Sequence, residues 1–360
     1  KKNLKKKKQL RKINFFFEIL PLTLQNNFSY LFDFISHIEN KILDDDIENV
    51  KVVDQVYICG YARSGTTAIL NLINSTSKFS SLKYNSLPFV TIPFFWKKIS
   101  RSFYDKNKYL YRYHDDEIKI NSESPDSFEE IFWRNYIQSY EKNFYKTNIS
   151  DYLGNDFLNS YKKFIKKNLL IEKKTRYLSK SNNNLFRIQY LLKNFPLSKF
   201  IICIREPIEH CSSLLRVHKL FTKYNLQNNN FSKYMKNLGH FEFGYTRKVL
   251  KIGKFDETEN YWSNNKDLEG YLRQWINIHN YILELLLKIN KSNFIIIDNS
   301  DIIENKNLNI NRLSNFLNIE HNFFNDNLIN KNKNLYTNNF DTKLNLEATT
   351  LYKKIRELII

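Results

Sequence analysis

Two short runs of consecutive apolar residues, Val56 to Cys59 and Phe200 to Ile204, each give way to helical periodicity. The first helix opens at about Thr66 and runs to about Asn74; the second carries Ser212 and Ser213 and continues toward Tyr224. Runs this short, without polar alternation, predict strands buried on both faces. A third, Phe294 to Ile297, follows a long helical pattern from Leu268 to Lys288 and is closed by Asp298 to Asp301. A strand is also predicted near Leu169 to Glu172, and a helix from about Asn184 to Lys193. Ser124, with Pro125 at a first helical position, predicts a helix through Trp133 toward Tyr140. Residues 13–49 read as one or two helices, with Phe28, Tyr30, Leu31, Phe34, Ile35 and Ile38 forming an apolar stripe that ends at Asp44 to Asp46. Strands alternating with helices predict an α/β fold, a central parallel sheet covered on both faces.

The turn between the first strand and its helix carries the chemistry. Gly60, four residues and then Gly65 make a phosphate-binding loop, in which backbone N–H groups at a helix N-terminus point at an anion. Walker-type loops continue with Lys and then Ser or Thr, whereas Thr66 and Thr67 stand here. The cation lies inside the turn, at Arg63. A loop that grips phosphate without that lysine is poorly equipped to hydrolyse ATP.

The run Ala62 to Thr67 resembles the 5′-phosphosulfate loop of sulfotransferases that use 3′-phosphoadenosine 5′-phosphosulfate (PAPS). The resemblance implies that Arg63, Ser64, Gly65, Thr66 and Thr67 hold the donor. Arg205, at the end of the second strand, and Ser213, eight residues later, match the pair that binds the donor's 3′-phosphate. Lys180 lies 25 residues before Arg205, as in the tyrosylprotein branch, where such a lysine stabilises the transferring sulfuryl group. The segments Ser86 to Val90 with Trp96, Tyr113 to Ile118, Ser124 to Trp133 and Leu238 to Gly244 are similar to a bacterial branch of the family. The implied fold is three-layer α/β/α with P-loop nucleoside triphosphate hydrolase-like topology.

Two departures matter. The bacterial branch commonly shows His-Gly-Asp-Gly-Ile where this chain has His114 to Ile118, and asparagine where Ser181 stands. Tyrosylprotein enzymes place a base glutamate about 21 residues after the loop arginine, where this chain has Tyr84. His114, 51 residues after Arg63, is therefore the expected base, with His240, Asp116 and Glu123 as rivals. Arg63 and Lys180 are the expected catalytic cations.

Composition agrees with a globular chain: 360 residues, 42% apolar and 16% aromatic, supply an ample core. The abundance of Lys, Asn, Ile, Tyr and Phe looks like codon bias from an AT-rich genome. Cys59, Cys203 and Cys211 form neither a ligand spacing nor an even framework, and read as buried apolar residues in a reducing compartment. Of the nineteen net positive charges, eight sit in residues 1–12, leaving eleven for the rest. A positive cleft suits an anionic donor. No nucleic-acid-binding motif accompanies that charge, and the apolar stretch Ile13 to Leu24 is too short to span a membrane.

The organisation expected is a disordered basic tail at 1–12, N-terminal helices at 13–49 packed on the core, a sulfotransferase domain at 50–330 and a C-terminal helical segment at 331–360. Residues 225–265 read as a lid or insertion, and the aromatic segment 78–113 as part of the acceptor pocket. The expected function is PAPS-dependent sulfation of a hydroxyl or amine acceptor, with PAPS as co-substrate and no metal. Small molecules, glycans and lipid headgroups are candidate acceptors, and no specific nucleic-acid partner is expected. A cytoplasmic bacterial location is expected, with peripheral membrane association through the basic N-terminus. A catalytically inactive donor-binding protein and a P-loop kinase stand as alternatives.

Overall fold

The computed structural model describes residues 15–328 and 341–359, except 101, 115, 138, 147, 148 and 150–152. The basic segment 1–12 lies outside them, as do 329–340 of the C-terminal stretch. The core is one five-stranded sheet built from β1 (Val56–Cys59), β2 (Phe79–Ser80), β5 (Arg176–Lys180), β6 (Lys199–Ile204) and β7 (Phe294–Asp298). Every pairing in it is parallel, and the spatial order is β2-β5-β1-β6-β7. A separate antiparallel pair joins β3 (Leu110–Tyr111) to β4 (Lys119–Ile120).

Alternation along the strands divides the core into two layers. Val56, Ile58, Leu178, Ile201, Cys203, Ile295 and Ile297 face the layer that holds the helices Thr66–Asn74 and Lys306–Leu317. Tyr57, Cys59, Tyr177, Phe200, Ile202 and Ile296 face the larger layer. That layer holds the helices Asn155–Glu172, Pro207–Gln227, Asp267–Leu286 and Thr342–Arg356. All three cysteines are buried thiols. The result is the expected three-layer α/β/α architecture, and its order places β1 at the centre, between β5 and β6.

Several local readings differ from the structure. The stretch Leu169 to Glu172 ends the helix Asn155–Glu172, whose buried Phe157, Tyr161, Phe164, Ile165 and Leu169 recur with helical spacing; the strand starts only at Arg176. Apolar residues at a helix end and a strand start look alike in a short window. Ser124 does not open a helix. Its hydroxyl donates to Asn121 Oδ1, Pro125 bridges Lys83, and the helix spans Glu130–Tyr136.

The helix Ser29–Ile42 also departs from the expected stripe. Phe28, Tyr30, Leu31, Phe34 and Ile38 are exposed, while the buried side carries Glu39. Glu39 Oε2 meets Lys167 Nζ at 2.7 Å, and Glu39 Oε1 accepts from the Phe95 amide at 2.7 Å. Lys167 Nζ donates further to Ser36 Oγ and the Thr91 carbonyl, each at 3.0 Å. A buried, fully bonded ion pair thus orients this helix, and its apolar stripe faces outward. Among the described residues no helix is long and apolar enough to cross a membrane.

Candidate functional site

The loop Gly60 to Gly65 leaves the C-terminal end of β1 and turns sharply into the helix Thr66–Asn74. Three of its residues have positive φ: Gly60 at 149°, Arg63 at 74° and Gly65 at 98°. A Cβ on Gly60 would lie 2.4 Å from the Cys203 carbonyl oxygen, and one on Gly65 would lie 2.5 Å from Asn299 Oδ1. Gly60 is therefore required by close approach to the backbone as well as by conformation, and Gly65 by its conformation. Arg63 is not glycine, so its left-handed backbone costs about 1 kcal/mol, and tertiary contacts must hold it.

One of those contacts comes from His210, buried in the helix Pro207–Gln227. Its Nδ1 accepts from Trp275 Nε1 at 3.1 Å, which leaves Nε2 to donate to the Ala62 carbonyl at 2.8 Å. Burial, with the neighbouring His279, pushes the His210 pKa well below the usual imidazole value, so the ring stays in this neutral tautomer. Beside it Gln274 Nε2 donates to the Tyr61 hydroxyl at 2.7 Å. His210, Trp275 and Gln274 were not singled out in the sequence, because isolated residues on helices give no local signal.

Around the loop opens a cleft of about 930 Å³, within the range of small-ligand sites. Arg63, Gly65, Thr66, Thr67, His114, Lys180 and Arg205 all line it. Arg63 Nε lies 3.4 Å from Ser213 Oγ, and Arg205 Nη1 lies 3.4 Å from the Arg63 carbonyl oxygen. The loop arginine and the Arg205–Ser213 pair, 150 residues apart at the widest, are thus in direct contact. Arg205 Nη2 reaches Glu209 Oε2 at 3.4 Å, while its buried Nε has no partner. Ser64 is buried beneath the loop and takes no part in the cleft wall.

A third arginine, Arg112, enters this site unannounced by any motif. It binds Asp116 through Nε at 3.0 Å and through a short Nη2 contact, and its Nη1 lies 3.3 Å from Thr67 Oγ1 and 3.8 Å from Asp126 Oδ2. Asp116 also receives Arg63 Nη1 at 2.8 Å. Asp126 lies 3.5 Å from Lys180 Nζ and accepts from the Tyr84 hydroxyl at 3.2 Å. Tyr84, standing where the tyrosylprotein enzymes carry their base glutamate, therefore delivers a hydrogen bond to a carboxylate from a different segment. Burial works to raise the pKa of both aspartates, but the surrounding cations hold them well below the ordinary carboxylate range. Burial works to lower the Arg112 pKa, and the two aspartates more than offset it.

Of the candidate bases, His114 lines the cleft, packs edge-on to Phe221 with centroids 5.2 Å apart, and has a buried Nδ1 without a partner. Burial first, then Arg112, pushes its pKa well below the usual value and keeps the ring neutral. Asp116 is occupied by two arginines. Glu123 lies outside the cleft wall, bound to Lys83 at 3.1 Å and Asn85 at 2.7 Å. His240 lines the cleft 3.8 Å from Glu242. From residues 225–265, Met235, His240, Glu242 and Phe243 reach the wall. Among the described residues of 78–113 only Arg112 does so: Phe89 instead packs on Phe32 and Trp96, and Trp96 on Phe103.

The floor below Lys180 is polar and buried. Glu130 accepts from Ser181 Oγ at 3.1 Å, from Asn183 Nδ2 at 2.6 Å, from the Tyr140 hydroxyl and from both Arg187 Nη atoms. Glu129 accepts from Trp133 Nε1, Tyr161 and Tyr177 at 2.7 to 2.8 Å. These bonds explain two adjacent carboxylates in the core, and they fix the strand end that presents Lys180.

Comparison with solved structures returns sulfotransferases. STF1 from Mycobacterium tuberculosis H37Rv is 13% identical, with a TM-score of 0.46 over 79% of this chain and 72% of that one. STF9 from Mycobacterium avium is 13% identical, with a TM-score of 0.43 over 88% and 72%. A sulfotransferase from Alicyclobacillus acidocaldarius is 12% identical, with a TM-score of 0.40 over 85% and 95%. Comparison with curated proteins returns no match. The family model described as "Sulfotransferase family" matches residues 55–248, more than half of the chain and every element of the phosphate loop, the Lys180 strand and the Arg205–Ser213 pair, and the protein belongs to that family.

Proposed function

We propose that this sulfotransferase moves a sulfuryl group from PAPS to a hydroxyl or amine acceptor by in-line displacement. The observation that carries the reading is the direct contact of Arg63 with Ser213 and Arg205 at the mouth of a phosphate loop that has Thr66 in place of lysine. Arg205, through its unpartnered Nε, and Ser213 would hold the 3′-phosphate, and the loop N–H groups with Thr66 and Thr67 the 5′-phosphosulfate. The acceptor's oxygen or nitrogen attacks sulfur, the bond from sulfur to the bridging phosphate oxygen breaks, and the acceptor proton passes to His114. Arg63 and Lys180 neutralise charge on the bridging and equatorial oxygens. Their bonds to Asp116 and Asp126 keep both side chains extended into the cleft.

A cytoplasmic location and peripheral attachment through the basic residues 1–12 belong to the same reading. The test is titration with adenosine 3′,5′-bisphosphate by calorimetry, followed by transfer from labelled PAPS to a mixed acceptor panel. Tight binding that falls at least about tenfold in Arg205→Ala is the expected result. Absence of binding overturns the reading, and binding without any transfer reassigns the protein as an inactive donor-binding one. His114→Ala retaining full single-turnover activity at saturating donor removes His114 as the base.

A further inference from the structure

The cleft carries charges of both signs. At the phosphate-loop end Arg63, Arg112, Lys180 and Arg205 converge, and their charge attracts an anion. Glu242 lines the same cleft, as do Phe221, Met235, Phe243 and His240. Asp116 is engaged by Arg63 and Arg112, Asp126 by Lys180 and Glu209 by Arg205. Glu242 differs. Among the described residues no lysine or arginine pairs with it; its Oε1 accepts from Asn182 Nδ2 at 2.7 Å, and its Oε2 lies 3.8 Å from His240 Nδ1.

Asn182 ties this carboxylate to the reacting centre, because it stands two residues beyond Lys180 and lines the same cleft. Its buried Oδ1 has no partner. This part of the cleft thus offers one carboxylate without a lysine or arginine partner, one amide oxygen short of a donor, and aromatic and thioether walls. An ammonium group satisfies all three, by charge-assisted hydrogen bonding, by amide acceptance and by packing on aromatic faces.

We propose that Glu242 and Asn182 form the acceptor-recognition subsite, and that the acceptor is an alcohol carrying an ammonium group. Anionic donor and cationic acceptor then share one cleft, each beside groups of opposite charge. The inference rests on the reading of the cleft as a donor and acceptor site, and it fails separately from that reading.

The experiment uses the full chain saturated with adenosine 3′,5′-bisphosphate, whose binding checks the donor reading by itself. Choline is compared with its neutral isostere 3,3-dimethylbutan-1-ol, and glucosamine with glucose, by saturation-transfer NMR and calorimetry. At least one ammonium compound should bind about tenfold or more tightly than its neutral counterpart. In Glu242→Gln that preference should fall below about twofold, while nucleotide affinity and melting temperature stay at wild-type values. No preference in the wild type, or a preference that survives Glu242→Gln, overturns the proposal. So does a Glu242→Gln variant that loses turnover equally with charged and neutral acceptors, since that result makes Glu242 the proton acceptor. Absence of nucleotide binding in the wild type defeats the donor reading instead.

Discussion

Replacing Glu130 by alanine should be among the most damaging single changes to this protein. Glu130 is 1% exposed and its partner Arg187 is fully buried over the Trp133 ring, 4.2 Å from its centroid. Burial alone would raise the Glu130 pKa, yet Arg187 and the hydrogen bonds from Tyr140 and Asn183 hold it below the usual value. Removing the carboxylate strips the buried guanidinium of its ion-pair partner, and takes away the acceptor that Ser181, Asn183 and Tyr140 share. Breaking one side of a buried ion pair costs about 3–5 kcal/mol. Bonds to a charged group, each worth about 1.5–3 kcal/mol and less than additive together, lead to the same range. The unfolding equilibrium should shift by roughly two to three and a half orders of magnitude, at 1.4 kcal/mol per tenfold. Urea unfolding followed by tryptophan fluorescence reads it, because Trp133 sits on the affected arginine. The double replacement Glu130→Leu with Arg187→Met should recover much of the loss, since an apolar pair of similar volume carries no stranded charge. A Glu130→Ala loss below about 1 kcal/mol, or a double variant no more stable than the single one, refutes the reasoning.

Gly60→Ala should abolish nucleotide binding and destabilise the fold by several kcal/mol, because the new Cβ would meet the β6 backbone at 2.4 Å; calorimetry and thermal melting check both. Acid should unfold the protein early. Burial lowers the pKa of His279 to about 3, so the folded state leaves this group unprotonated over a range where the unfolded chain, titrating near 6.5, takes up a proton. Its contribution is therefore complete above about pH 6.5 and is lost as pH falls toward 3, by about 1.4 kcal/mol per pH unit. His279→Asn should flatten the slope of stability against pH by about that amount between roughly pH 6 and 4. Asp126 follows the same proton linkage with the opposite charge, its ionised form being the one the fold favours: its depressed pKa contributes stability above about pH 4 that disappears in stronger acid, and Asp126→Asn should blunt the steepest acid limb.

Everything whose signal is local is legible in the order of the residues. Val56 to Cys59 read as a doubly buried strand, Gly60 and Gly65 as the turn, Thr66 as the absence of a Walker lysine, and Arg205 with Ser213 as a spacing two helical turns long. Each depends on residues close enough along the chain for periodicity or a motif to register. The sequence did not place Arg112 against Asp116 and Thr67, Asp126 against Lys180, His210 beneath Ala62, or Glu130 against Arg187. Arg112 and Asp116 are close in the chain but have no motif around them; the other pairs are far apart in sequence, and the tertiary fold brings them together. The same holds for the helix Ser29–Ile42, whose apolar stripe suggested an inward face until the Glu39–Lys167 pair turned it outward. Burying an ion pair demands a specific geometry, whereas apolar burial only asks for area, so the choice between them is made by the neighbours that fold against the helix.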